Sequence, residues 1–188
     1  TWANPSLTDA FKAALPGADP GSFNIENKMS LGQASEVFFM LIIPFAYKRY
    51  GVKNIIIIGL LAWILRFLLF GYGNASSGVW MFYIAILLHG VCYDFFFVTG
   101  QIYTDHKAGE KIKAQAQGLI TLATYGIGMF IGSIIAGKVK DLYTTQGEGV
   151  MAITNWLKVW LVPAGIAAVV LLLFVLFFTD RKSAPVSE

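Results

Sequence analysis

Hydrophobic residues in this chain come in long unbroken stretches separated by short polar segments, with no sustained two-residue alternation. Five stretches are long enough to cross a bilayer: Met29 to Tyr47, Asn54 to Tyr72, Val79 to Tyr103, Ala116 to Val139 and Trp156 to Thr179. Each supplies about twenty residues, which at about 1.5 Å rise per residue matches a hydrocarbon core of about 30 Å. The pattern predicts an all-α integral membrane protein with about five transmembrane helices. Residues 1–28 are polar and carry Pro5, Pro16 and Pro20, so they read as the end of a preceding helix followed by an external loop, with one short helix at Ser6 to Ala14. Residues 29–179 form the five-span bundle, and residues 180–188 read as a short polar tail.

Composition sharpens this class. The chain is 56% hydrophobic and 13% charged, with a mean hydropathy of +0.64, whereas soluble domains carry about 25% charged residues. The net charge of +3 is small, and Lys and Arg stand at the ends of apolar stretches, which argues against nucleic acid as a partner and for the lipid bilayer. The single Cys92 excludes an internal disulfide framework, and no metal-ligand spacing occurs, so no metal is expected. The chain starts at Thr1 without a Met or a signal-peptide pattern, so a fragment of a longer protein is the expected reading.

The loops set an orientation. One side holds Lys48, Arg49, Lys53, Lys107, Lys111, Lys113, Arg181 and Lys182 against Asp105, Glu110, Asp180 and Glu188, a net +4. The other holds Lys12, Lys28, Lys138, Lys140 and Lys158 against Asp9, Asp19, Glu26, Asp141 and Glu148, a net zero. By the positive-inside rule the first side is cytoplasmic, which places the C-terminus inside and residues 1–28 outside.

Two acids break the apolar pattern: Glu36 in LGQASEVFFMLIIPF and Asp94 in GVCYDFFFVTG. A charge at that depth costs at least a few kcal/mol and marks function by default. Glu36 lies about 13 Å from a helix start near Asn27, and Asp94 about 16 Å from the inner end near Asp105, so both fall near the midplane. Secondary transporters place substrate and ion sites at that depth. Gln33 is three residues before Glu36 and shares its helix face, which Ser30 extends. Tyr93 has a hydroxyl that needs a partner and a ring able to stack on a planar ligand.

Arg66 is the intramembrane base. It either pairs with one of the acids or snorkels to the outer interface, and the sequence supports both equally. His89 and Asp94 spell the His-x4-Asp pattern of membrane acyltransferases, a possible enzyme of a different class. A helical separation of five residues sets the two side chains about 140° apart, however, and no second acyltransferase block follows. The expectation is therefore no enzyme and no catalytic residue, with His89 facing a pore or packing against a neighbouring helix, or donating a hydrogen bond to substrate. Gly126, Gly128, Gly132, Ser133 and Gly137 form a small-residue stripe that predicts close helix packing, and Pro44 and Pro163 are candidate kinks.

The run LGQASEVFFMLIIPFAYKRYGVKNIIIIGLLAWILRFLLFGYG resembles the C-terminal half of the proton-coupled bacterial nucleoside symporters of the major facilitator superfamily. The blocks GVCYDFFFVTGQIY and AQAQGLITLATYGIGMFIGSIIAGKV continue the resemblance in order. It implies a C-terminal helix bundle of that superfamily, running from the end of a seventh helix through a twelfth, with the N-terminal half of the same transporter absent. It further implies proton-coupled uptake of nucleosides across the bacterial inner membrane by alternating access, with the proton as coupling ion and no other cofactor. Gln33, Glu36, Tyr93 and Asp94 would contact the nucleoside, with Asp94 or Glu36 carrying the proton and Asp94 the better candidate. Some relatives have Phe where Tyr93 stands, Asn where Phe97 stands and Tyr where His89 stands. A sugar or polyol symporter of the same superfamily is the alternative within the class.

Overall fold

A computed structural model describes residues 3–16, 19, 24–147 and 150–179. The expected tail at 180–188 lies outside the described residues. Helix α1 (Ala3–Ala14) is followed by α2 (Ile25–Tyr72), α3 (Val79–Tyr93), α4 (Thr99–Thr121), α5 (Met129–Leu142) and α6 (Trp156–Phe177). Two π-helical turns, Asp94–Val98 and Leu122–Gly128, join α3 to α4 and α4 to α5 without interrupting the rod.

Helix α2 has 48 residues, which as one straight rod would measure about 72 Å, roughly twice the thickness of a hydrocarbon core. The chain solves this at Gly51, whose φ of 73° and ψ of 164° leave the helix and reverse its direction. Gly109, with φ 67° and ψ 167°, does the same inside α4. Both dihedral pairs fall in a region essentially restricted to glycine. The two breaks divide three continuous helical stretches into the five spans that the apolar runs predict. The helices overrun those runs because charged residues end the hydrocarbon-compatible segment without ending the helix. Pro44 lies inside α2, yet the backbone leaves helical values at Gly51 and not there.

The element order contains one feature absent from the sequence reading, an antiparallel hairpin of β1 (Thr144–Gly147) and β2 (Val150–Thr154). Its β-branched threonines pair across the strands, with the Thr144 and Thr154 hydroxyls 2.9 Å apart. The hairpin leads into α6, whose N-cap Asn155 accepts the Lys158 N–H through its side chain.

Three apolar clusters hold the spans together. Leu7, Phe70, Phe82, Ile86 and Trp160 pack α1 against α2, α3 and α6, and the Trp156 Nε1–H donates to Asp9 Oδ2 at 2.9 Å. Ile43, Ala46, Ile55 and Phe95 join both arms of α2 to the first π-turn. Val52, Ile56 and Leu60 seat Tyr103, Phe174 and Phe178. Helix α5 has no buried residue, and Gly132 and Gly137 face open space. The close packing expected of that small-residue stripe is therefore not made within the described residues.

Beyond the apolar run, Lys113 Nζ sits 2.9 Å from Asp105 Oδ2. The hydrogen bond from Lys113 holds the Asp105 carboxyl below its ordinary range, and the same bond raises Lys113. Asp105 thus contributes stability above its unfolded pKa that is lost as pH falls through the depressed value. Lys113 contributes below its ordinary value, and that is lost as pH rises through the raised one. Between about pH 4 and 10 the pair is constant, so Asp105→Asn should leave the shape of any transport pH profile between 5 and 8 unchanged. A profile displaced by that substitution contradicts this. At the upstream break, Gly51→Ala should cost about 1–3 kcal/mol, because no atom crowds the site and the backbone alone objects. Thermal unfolding of the detergent-solubilised protein checks it; an unchanged midpoint contradicts the constraint.

Candidate functional site

Where α2 crosses α3, the two backbones touch. A Cβ on Gly90 would lie 2.5 Å from the Ser35 carbonyl carbon and 2.6 Å from its oxygen. The Gly90 N–H donates to Ser35 Oγ at 3.0 Å, while the Ser35 hydroxyl donates to the Gly32 carbonyl at 2.6 Å. Glycine is required at 90 by this approach. The consequence is chemical, because the next residue on one side is Glu36 and on the other His89.

His89 Nε2 lies 2.8 Å from Glu36 Oε1. The other ring nitrogen, Nδ1, lies 2.5 Å from the Arg66 guanidinium. Arg66 is only 7% exposed, which removes the snorkelling alternative. Its guanidinium is enclosed by the Trp63 and Phe70 rings, 5.5 and 5.6 Å from their centroids, and reaches Cys92 Sγ at 3.7 Å. No direct ion pair between Arg66 and an acid occurs among the described residues; the base reaches Glu36 through His89.

Asp94 is fully buried, and neither carboxylate oxygen has a hydrogen-bond partner among the described residues. It opens the π-turn, where the Thr99 N–H reaches back five residues to the Asp94 carbonyl and the Thr99 hydroxyl bonds the same oxygen at 3.2 Å. A Cβ on Gly59 would lie 2.9 Å from the Phe96 backbone nitrogen, so α2 is pressed against this turn as well. π-turns recur at functional sites because one extra residue redirects the side chains around it.

Tyr93 is half-buried, stacks obliquely beside His89 and Phe97 at 5.9 and 5.4 Å, and hydrogen-bonds through its hydroxyl to that of Tyr125. Tyr125 belongs to the second π-turn. Gln33 is exposed, one helical turn before the half-buried Glu36. Gln33, Glu36, Tyr93 and Asp94 therefore occupy one region around the α2–α3 crossing, and its exposed members point away from the packed interior.

Sequence reasoning missed the contact of Tyr125 with Tyr93 and the link that His89 makes between Arg66 and Glu36. The phenol hydroxyl in the largely apolar LATYGIGMF was the available signal for the first, since a tyrosine hydroxyl in an apolar span seeks a polar partner. Both nitrogens of His89 are engaged by Arg66 and Glu36, so the His-x4-Asp acyltransferase alternative has no geometric support. No group of three or more His, Cys, Asp and Glu suited to a metal occurs among the described residues. A cavity of about 530 Å³ opens near α1 and the start of α6, lined by Asp9, Lys12, Phe70, Asn74 and Trp156, and does not include the carboxylates.

A buried acid without donors, a second acid tied to a base through an imidazole, and a membrane-length helix bundle coincide with a family match. The family model described as nucleoside H+ symporter matches residues 3–183. The chain belongs to the nucleoside H+ symporter family. It is 39% identical over 151 residues to the nucleoside permease NupG of Escherichia coli (strain K12), covering 80% of this chain and 35% of that protein. It is 34% identical over 180 residues to the xanthosine permease of the same organism, covering 95% and 39%. A crystal structure of the nucleoside transporter NupG superposes with a TM-score of 0.81 at 35% identity, over 96% of this chain and 44% of that one. The fold is thus the helix bundle of a multi-pass major facilitator protein, and the chain spans a little over a third of the length of these curated relatives.

The crossing supplies a direct test. Gly90→Ala forces backbone apart from backbone and should destabilise the protein by about 1–3 kcal/mol. A thermal midpoint in detergent equal to that of the unaltered protein contradicts the contact.

Proposed function

We propose that this chain forms one half of a nucleoside site in a proton-coupled symporter of the bacterial inner membrane, working by alternating access. The remaining half comes from residues outside this chain. The single observation that carries the reading is Asp94, a fully buried acid with no donor to either oxygen, in a family described by nucleoside and proton together. An ionised carboxylate so placed is costly, and a proton taken up on the outer side removes that cost and lets the loaded carrier reorient.

Gln33, Glu36 and Tyr93 are accessible to a ligand and chemically suited to it. An amide and a carboxylate one helical turn apart meet hydroxyl and amide groups, and the tyrosine ring offers a face to a planar base. Asp94 behind them is our assignment for the coupling proton. The C-terminus and the loops broken at Gly51 and Gly109 face the cytoplasm in this reading, and α1 and the β-hairpin face outward, as the loop charges require.

The test is uptake of a labelled nucleoside into energised vesicles by the complete protein. Glu36→Gln should raise the half-saturating concentration about tenfold or more, the loss expected when a charged hydrogen-bond partner is removed. Asp94→Asn should abolish accumulation driven by the proton gradient. Undiminished, gradient-dependent uptake in both variants would sink the proposal. Competition by free sugars, with none by nucleosides, would replace it with the sugar or polyol alternative.

A further inference from the structure

The Arg66–His89–Glu36 chain, buried at Arg66 and half-buried at His89 and Glu36, has a protonation pattern that follows from donor geometry alone. Arginine has donors and no acceptor, so the 2.5 Å contact to His89 Nδ1 requires that nitrogen to be bare. The ring proton must then sit on Nε2, which points at Glu36 Oε1 2.8 Å away. An imidazolium would turn an N–H against the guanidinium, and the opposite tautomer would do the same while leaving Glu36 without its donor. Arg66 cannot swing aside, since it is 7% exposed and enclosed by Trp63, Phe70 and Cys92. The main chain that carries His89 is anchored as well, because its neighbour Gly90 is held against Ser35 by direct backbone contact.

We propose that His89 is a positioning residue, held by Arg66 as the neutral Nε2–H tautomer so that it pins Glu36 Oε1 and leaves Oε2 directed to the ligand. The inference rests on the nucleoside-site reading for its ligand. It adds that His89 carries no coupling proton and fixes the rotamer and acceptor character of Glu36. Glutamine at 89 can accept from Arg66 with its oxygen and donate to Glu36 with its nitrogen, so it preserves the polarity of the array. Alanine cannot.

The test uses the complete protein labelled with ¹⁵N at histidine, the His89 signals being identified by their loss in His89→Gln. Expected is a single neutral species protonated at Nε2, and in Arg66→Leu a mixture of tautomers. Arg66→Lys, which keeps a donor if the leucine variant fails to fold, should retain the Nε2–H form. In uptake assays His89→Ala should raise the half-saturating nucleoside concentration about tenfold with little change in maximal rate, and His89→Gln should restore most of it. Protonation at Nδ1, or an imidazolium, in the unaltered protein overturns the proposal. So does an unchanged half-saturating concentration in His89→Ala. Should the complete protein take up no nucleoside, the symporter reading fails by itself, and the ¹⁵N signals still decide whether the tautomer is held.

Discussion

The contact on which the site depends is backbone against backbone, at the crossing of α2 and α3. Gly90 has no room for a Cβ, and its N–H is satisfied by the Ser35 hydroxyl. Because Glu36 follows Ser35 and His89 precedes Gly90, bringing two main chains together brings an acid and an imidazole within hydrogen-bond reach. Arg66 then completes the array from the second arm of α2, delivered there by the reversal at Gly51. In hydrocarbon each of these groups alone would be costly; in sequence, each one's partner is a polar neighbour on another helix.

The two π-turns supply the second half of the geometry. Each inserts one extra residue per turn, and each stands beside a tyrosine hydroxyl: Tyr93 precedes the first, Tyr125 lies in the second. Their hydroxyls meet, closing α3 against the rod that carries α5. The first turn also begins at Asp94, whose carboxylate oxygens have no hydrogen-bond partner among the described residues. One acid is thus held in a hydrogen-bonded array, and the other is left without one. Two acids beside the same helix crossing have different surroundings.

Much of this was legible beforehand. Apolar run lengths specify five spans, and the acids stand out because an apolar span tolerates few of them. What the runs conceal is the manner in which spans begin and end. Gly51 and Gly109 look unremarkable among nineteen glycines, and only a left-handed φ shows that they divide helices. The hairpin between α5 and α6 escaped a reading based on helical periodicity, since its strands are four and five residues long. The engagement of His89 is not legible in the pattern around it, because its partners Glu36 and Arg66 are distant in sequence. The glycine stripe of α5 illustrates the opposite limit: Gly132 and Gly137 predict packing, and the surface they offer is uncovered within the described residues.

The account stands on coupling between nucleoside entry and proton entry through a buried acid. The most direct measurement is the pH of an unbuffered medium around de-energised vesicles carrying the complete protein, followed on addition of a nucleoside. The account predicts a transient external alkalinisation as protons enter with substrate, absent in Asp94→Asn. Nucleoside entry without any alkalinisation, or an equal signal in Asp94→Asn, would contradict it.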